Sequence, residues 1–156
     1  MKKNTTRFLL MCAATWLVGT AAYAGENWIG TWKLNPTKSE LGEGAIRAQT
    51  LSFESTPEGI KLVSEGTDGQ GKPMKGGYTS KFDGKDVPWA GNPMADTASS
   101  KRIDDNTYEN VWKKGGKATV TAKVAVSKDG KVLTVTQDGM DPQGAKIHSV
   151  AVYERQ

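Results

Sequence analysis

Apolar residues fall into two regimes along this chain. Phe8 to Val18 is a mostly apolar stretch of 11 residues, whereas from Gly25 onward apolar and polar positions alternate in short segments punctuated by glycine. The clearest segment is Ala118 to Val126: its even-numbered apolar positions share one strand face, and Thr119, Thr121 and Lys123 share the other. Ser127-Lys128-Asp129-Gly130-Lys131 then turns the chain, Val132 to Gln137 returns, and the β-branched run Ile147 to Tyr153 adds a further strand. Earlier strands are predicted at Trp28 to Leu34, Ile46 to Ser55, Ile60 to Glu65, Met74 to Phe82, Thr97 to Ile103 and Thr107 to Lys113.

Asp-Gly or Gly-Gly pairs recur at 68-69, 76-77, 83-84, 115-116, 129-130 and 138-139. Most fall between β-rich stretches, where they supply the positive φ of hairpin turns, so hairpins in series are expected. Outside the first segment no apolar residues recur at helical spacing for three turns, which excludes a substantial helix. The pattern predicts an all-β domain, a small antiparallel up-and-down β-barrel of about 8–10 strands. Asn35 to Ala45 and Val87 to Ala95 read as longer loops, either of which could cover a barrel mouth.

The opening segment changes the inventory. Lys2, Lys3 and Arg7 precede the apolar stretch, and Ala22-Tyr23-Ala24 places small residues where a signal peptidase reads them. Residues 1–24 are therefore expected to be a signal peptide cleaved after Ala24, with a periplasmic or secreted domain at residues 25–156. The apolar stretch is too short to span a bilayer, and the mean hydropathy of -0.54 also argues against stable membrane insertion. Cleavage would remove 24 of 156 residues, the lone Cys12, and three of 21 basic residues, leaving 18 basic against 17 acidic side chains. The remaining chain is near neutral and free of thiols. It has no disulfide to form, and its stability must come from packing and strand pairing.

Gly30-Thr31-Trp32 resembles the Gly-x-Trp signature of lipocalins and the wider calycin barrels. The phrases Trp28 to Asn35, Lys38-Ser39, Asp83-Gly84-Lys85, Lys101 to Asp104, Val126 to Lys131 and Val152 to Arg155 together resemble a family of exported bacterial lipocalin-like proteins. That family has no settled biochemical function, so the resemblance implies a fold and a compartment rather than a ligand. It further implies that the signature tryptophan, Trp32, lies near the closed barrel end and that Arg155 from the last strand packs across it. The competing reading is a frayed, solvated Arg155.

Candidate chemistry is sparse. His148 shares a strand face with Val150 and Val152, while Ser149 points the other way, so no Ser-His-Asp arrangement follows. The carboxylate pairs Asp83/Asp86, Asp104/Asp105 and Asp138/Asp141 sit beside Gly, Asn or Pro, where aspartate caps turns. None has calcium-loop spacing, and no metal or other cofactor is expected. Lys101-Arg102 and Lys113-Lys114 with Lys117 lie near Tyr108 and Trp112, but Asp104, Asp105 and Glu109 interrupt them, and no nucleic acid partner is expected. Gly66 to Gly77 lacks the ending of a phosphate loop.

The aromatic residues carry the best clue. Trp89, Trp112, Tyr78 and Tyr108 are candidate ligand-binding residues, with Gly30, Trp32 and Arg155 as the structural signature. An eight-stranded barrel either fills with side chains or holds one small ligand. Trp89, in a Pro- and Gly-rich segment, could gate such a cavity or plug the rim. The leading expectation is a non-enzymatic exported protein binding a small hydrophobic ligand. The alternative is an envelope structural or interaction module with a filled barrel. Ligand identity and oligomeric state are not legible.

Overall fold

The computed structural model describes residues 27–156; the signal peptide expected over residues 1–24, its cleavage site and Cys12 lie outside the described residues. The chain forms ten antiparallel strands: β1 (Gly30–Leu34), β2 (Arg47–Thr56), β3 (Gly59–Thr67), β4 (Pro73–Ser80), β5 (Asp83–Pro88), β6 (Thr97–Arg102), β7 (Thr107–Lys114), β8 (Lys117–Val126), β9 (Val132–Met140) and β10 (Lys146–Arg155). The spatial order is β4-β3-β2-β1-β10-β9-β8-β7-β6-β5, an up-and-down sheet in which the first and last strands pair directly, Trp32 opposite Arg155.

The seam of this nearly closed barrel falls between β4 and β5. Consecutive in sequence, these strands diverge from their turn, and among the described residues the seam is bridged by a two-bond pair between Gly77 of β4 and Ala90, just past the end of β5 (3.0 and 3.2 Å). Small residues permit that approach. A Cβ on Gly91 would lie 2.1 Å from the carbonyl oxygen of Lys75, and Gly91 itself has φ +75°.

Alternation places one face of each strand inside. On β8, Val120, Ala122, Val124 and Val126 are buried and Thr121 and Lys123 exposed, while Ala118, expected inside, is exposed. The cause is a register shift between Trp112 and Lys113 of β7, beyond which the strand is out of phase. On β10, Ile147, Ser149, Ala151 and Tyr153 are buried and His148 faces out.

Three of the recurring glycine-containing pairs lie in strands rather than turns, Gly76-Gly77 within the strand predicted over Met74 to Phe82. Gly76-Gly77 belongs to β4 and Gly139 to β9, where a Cβ on Gly76 would come 2.6 Å from the Ala90 oxygen and one on Gly139 2.2 Å from the Thr119 oxygen. Asp83-Gly84 opens β5, a strand absent from the sequence reading, and Gly84 (φ +80°) lies in a register shift against β6. The glycines serve close backbone approach or bulges as well as turns. The β4–β5 reversal is made by Phe82, the one non-glycine residue with positive φ (+57°) among the described residues. Its ring packs on Tyr108 (4.7 Å) and Trp28 (5.5 Å), burial that offsets a backbone conformation costing about 1 kcal/mol.

The segment expected as a loop from Asn35 to Ala45 is partly ordered along β10. Asn35 caps a 3-10 turn at Pro36–Lys38, and Glu40 then pairs with Val150 through two 2.8 Å bonds. This segment extends the short first strand after a one-turn interruption.

Candidate functional site

One end of the barrel is sealed. Trp28 and Trp32 are fully buried, and the indole N–H of Trp32 donates to the carbonyl of Trp28 at 2.8 Å. The guanidinium of Arg155 lies over the Trp32 ring, 4.1 Å from its centroid, and donates to the carbonyls of Asn27, Ile29 and Gly130 at 2.5–2.6 Å. Gly30 sits directly beneath it, since a Cβ there would approach Arg155 Nη1 to 2.6 Å. Gly30, Trp32 and Arg155 thus form one packed unit.

At mid-barrel the interior is polar. The hydroxyl of Tyr78 accepts from Asn110 Nδ2 at 2.8 Å, with Ser100 Oγ 3.4 Å away, and all three residues are buried. Burial pushes the Tyr78 phenol up to about 12, opposed by hydrogen bonds from Ser100 and Tyr108, and pushes Tyr108 and Tyr153 well above the ordinary tyrosine value.

Beside this layer Trp89, Trp112 and Tyr108 line a small, partly enclosed cavity of about 50 Å3, together with Phe53, Leu51, Asn110, Gln137 and Tyr153 among others. Tyr78 does not line it but supports it, its ring 4.9 Å from that of Trp89, which in turn stands edge-on to Trp112 at 5.0 Å. The structure therefore brings the four aromatic candidates into one cluster. Alternation could have revealed Asn110 as well, because it lies on the same strand face as Tyr108 and Trp112. Gln137 is buried by the same rule on β9.

The other end is open. A recess of about 380 Å3 is bounded by Glu43, Asp68, Gln70, Met94, Asp141 and Gln143 among others. Two matching turns build its rim, Asp68-Gly69-Gln70-Gly71 and Asp141-Pro142-Gln143-Gly144. In each, the aspartate carboxylate accepts from the backbone N–H groups two and four residues on, at 2.8–2.9 Å, and the glycine N–H donates to the aspartate carbonyl at 3.0 Å. The repeated Asp-x-Gln-Gly phrase was the signal for this pair, and the true β9–β10 turn is here rather than at Asp138-Gly139.

Between the recess and the cavity runs the connection from Trp89 to Asp96. Pro93 and Met94 face the recess while Trp89 lines the cavity. The connection is pinned by the bond from Trp89 N to the Asp96 carbonyl (2.9 Å), by the Gly77–Ala90 bridge, and by Thr119 Oγ1 donating to the Met94 carbonyl (3.1 Å).

Outside the barrel the titratable groups make local contacts. His148 Nδ1 lies 2.7 Å from Asp138 Oδ1 across β9 and β10, both exposed, and the buried Ser149 points to the opposite face. Lys113 reaches Asp86 at 2.6 Å, and Arg102 lies over Trp28 at 5.5 Å. Tyr108 and Trp112 point inward, so they do not interleave with these cations on one surface. Among the described residues no group of three or more His, Cys, Asp or Glu side chains is placed to hold a metal ion, and no helix is long and apolar enough to cross a membrane. The chain matches no protein-family model and no curated protein sequence. Its described residues form an all-β, nearly closed, ten-stranded antiparallel barrel, compatible with a lipocalin-like fold.

Proposed function

We propose that this protein is an exported, non-enzymatic lipocalin-like module that binds a small, mostly apolar molecule inside its barrel, at Trp89, Trp112 and Tyr108, with Tyr78 behind Trp89 as support. The observation that carries this reading is the internal cavity walled by Trp89, Tyr108 and Trp112, lying one loop beneath an open recess. Aromatic walls with a few placed polar groups are the usual makings of a small-molecule site. A cavity of about 50 Å3 is well below the roughly 300–1,000 Å3 of a site for a drug-sized ligand. A larger guest therefore requires the side chains lining the cavity to move apart. The pattern of residues 1–24 supports export, and amino-terminal sequencing of the protein recovered outside the cytoplasm should begin at Gly25.

The small volume also favours a second reading, a barrel filled by its own side chains that serves as an envelope interaction module. Tryptophan fluorescence titration with lipids and aromatic compounds, at several temperatures, separates the two. A saturable change with at least one compound supports binding. Silence across the whole panel favours the filled barrel.

A further inference from the structure

The cavity lining constrains the chemistry of a guest more than its volume does. Trp89 and Trp112 are 6% and 4% exposed, both line the cavity, and the indole N–H of each has no hydrogen-bond partner in the protein. Neighbouring donors are served: Asn110 Nδ2 donates to Tyr78 and the Tyr153 hydroxyl to the Ala48 carbonyl. Trp28 Nε1 and Asn92 Nδ2 also lack partners, but neither residue lines this cavity. Buried donors without acceptors are costly and uncommon, and here two of them belong to edge-packed rings whose centroids are 5.0 Å apart. An indole N–H can only donate, so what it lacks is an acceptor. No charged side chain lines the cavity, so an ion entering it would give up its hydration without a counter-charge. A pure hydrocarbon would leave both donors unmet.

We infer that the barrel selects a neutral molecule with an apolar body and a carbonyl-type acceptor oxygen, which receives the indole N–H of Trp89 or Trp112. This rests on the reading of the barrel as a binding module and narrows its ligand class. Phe53, Leu51 and Tyr108 supply apolar wall for the body of the guest, and the two indoles supply the unpartnered donors.

Cyclohexanone and cyclohexane, which share a ring and differ in the acceptor, test this on the intact protein. The indole N–H proton resonances of Trp89 and Trp112, assigned in 15N-labelled protein, should include at least one that moves downfield with the ketone and not with the hydrocarbon. In Trp89→Phe or Trp112→Phe, whichever removes the responding donor, ketone affinity should fall about tenfold further than hydrocarbon affinity, a difference of about 1.4 kcal/mol. If both guests bind but neither indole proton responds to the ketone, the acceptor inference is overturned and the binding module stands. If neither guest binds and the wider panel is also silent, the binding reading itself falls, and the inference with it. The resonance measurement needs no variant, so a poorly folded substitution does not remove the test.

Discussion

Arg155 and Trp32 face each other across the pairing of the last and first strands, with the guanidinium carbon 4.1 Å from the indole centroid. Three carbonyls receive the same guanidinium, so its contribution combines stacking with charge-assisted hydrogen bonds. Arg155→Ala should cost about 2 kcal/mol, lowering the melting temperature by about 5–10 °C. Arg155→Lys should recover little of this, because an ammonium cannot serve three divergent carbonyls while lying flat on the ring. Calorimetry on the two variants checks both statements.

The barrel seam depends on Gly91. Gly91→Ala puts a methyl 2.1 Å from the Lys75 oxygen at φ +75° and should cost more than about 1 kcal/mol. It should also speed amide hydrogen exchange at Gly77 and Ala90, whose N–H groups form the bridge. Gly116→Ala, at φ +77° with no atom within 4 Å, is the control for backbone strain alone and should leave those amides protected.

The three tyrosines among the described residues are all buried and hold their protons more tightly than a solvated phenol. An unfolded chain releases phenolic protons near pH 10, whereas folded Tyr78 holds its proton up to about 12. Above pH 10 the unfolded state therefore binds fewer protons, and stability falls as pH rises, by about 1.4 kcal/mol per pH unit for each such tyrosine. Below about pH 9 these groups add no slope. Urea unfolding at pH 8, 10 and 11 should show this, and Tyr78→Phe should make the alkaline slope shallower.

The twin rim turns predict paired behaviour. Asp68→Ala and Asp141→Ala each remove an acceptor serving two backbone N–H groups and should each cost about 1 kcal/mol. Asp68→Asn and Asp141→Asn keep the acceptor oxygen and should retain most of that stability. Thermal melts of the four variants measure the difference.

Alternation and turn chemistry were legible where neighbours alone decide them. Val120 to Val126 and Ile147 to Tyr153 alternate cleanly, and Gly115-Gly116 and Asp129-Gly130 turn the chain where their composition says they should. β5 was not legible, because Asp83 to Pro88 buries almost nothing: a polar edge strand carries no apolar period to read. Gly139 looked like a turn residue because sequence cannot distinguish a glycine needed for positive φ from one needed for close approach.

The sequence by itself determined the class of structure, since a period of two with frequent turn residues leaves antiparallel hairpins as the way to pair the backbone and bury the apolar face. It also marked the aromatic residues that meet inside. Tertiary structure decided where the barrel closes, how small its interior is, and which donors lack partners. Those properties depend on which strand ends up beside which across long sequence distances, as Gly77 does with Ala90 and Trp89 with Trp112. A local pattern has no access to that packing, because the void left inside is the residue of every side-chain volume around it.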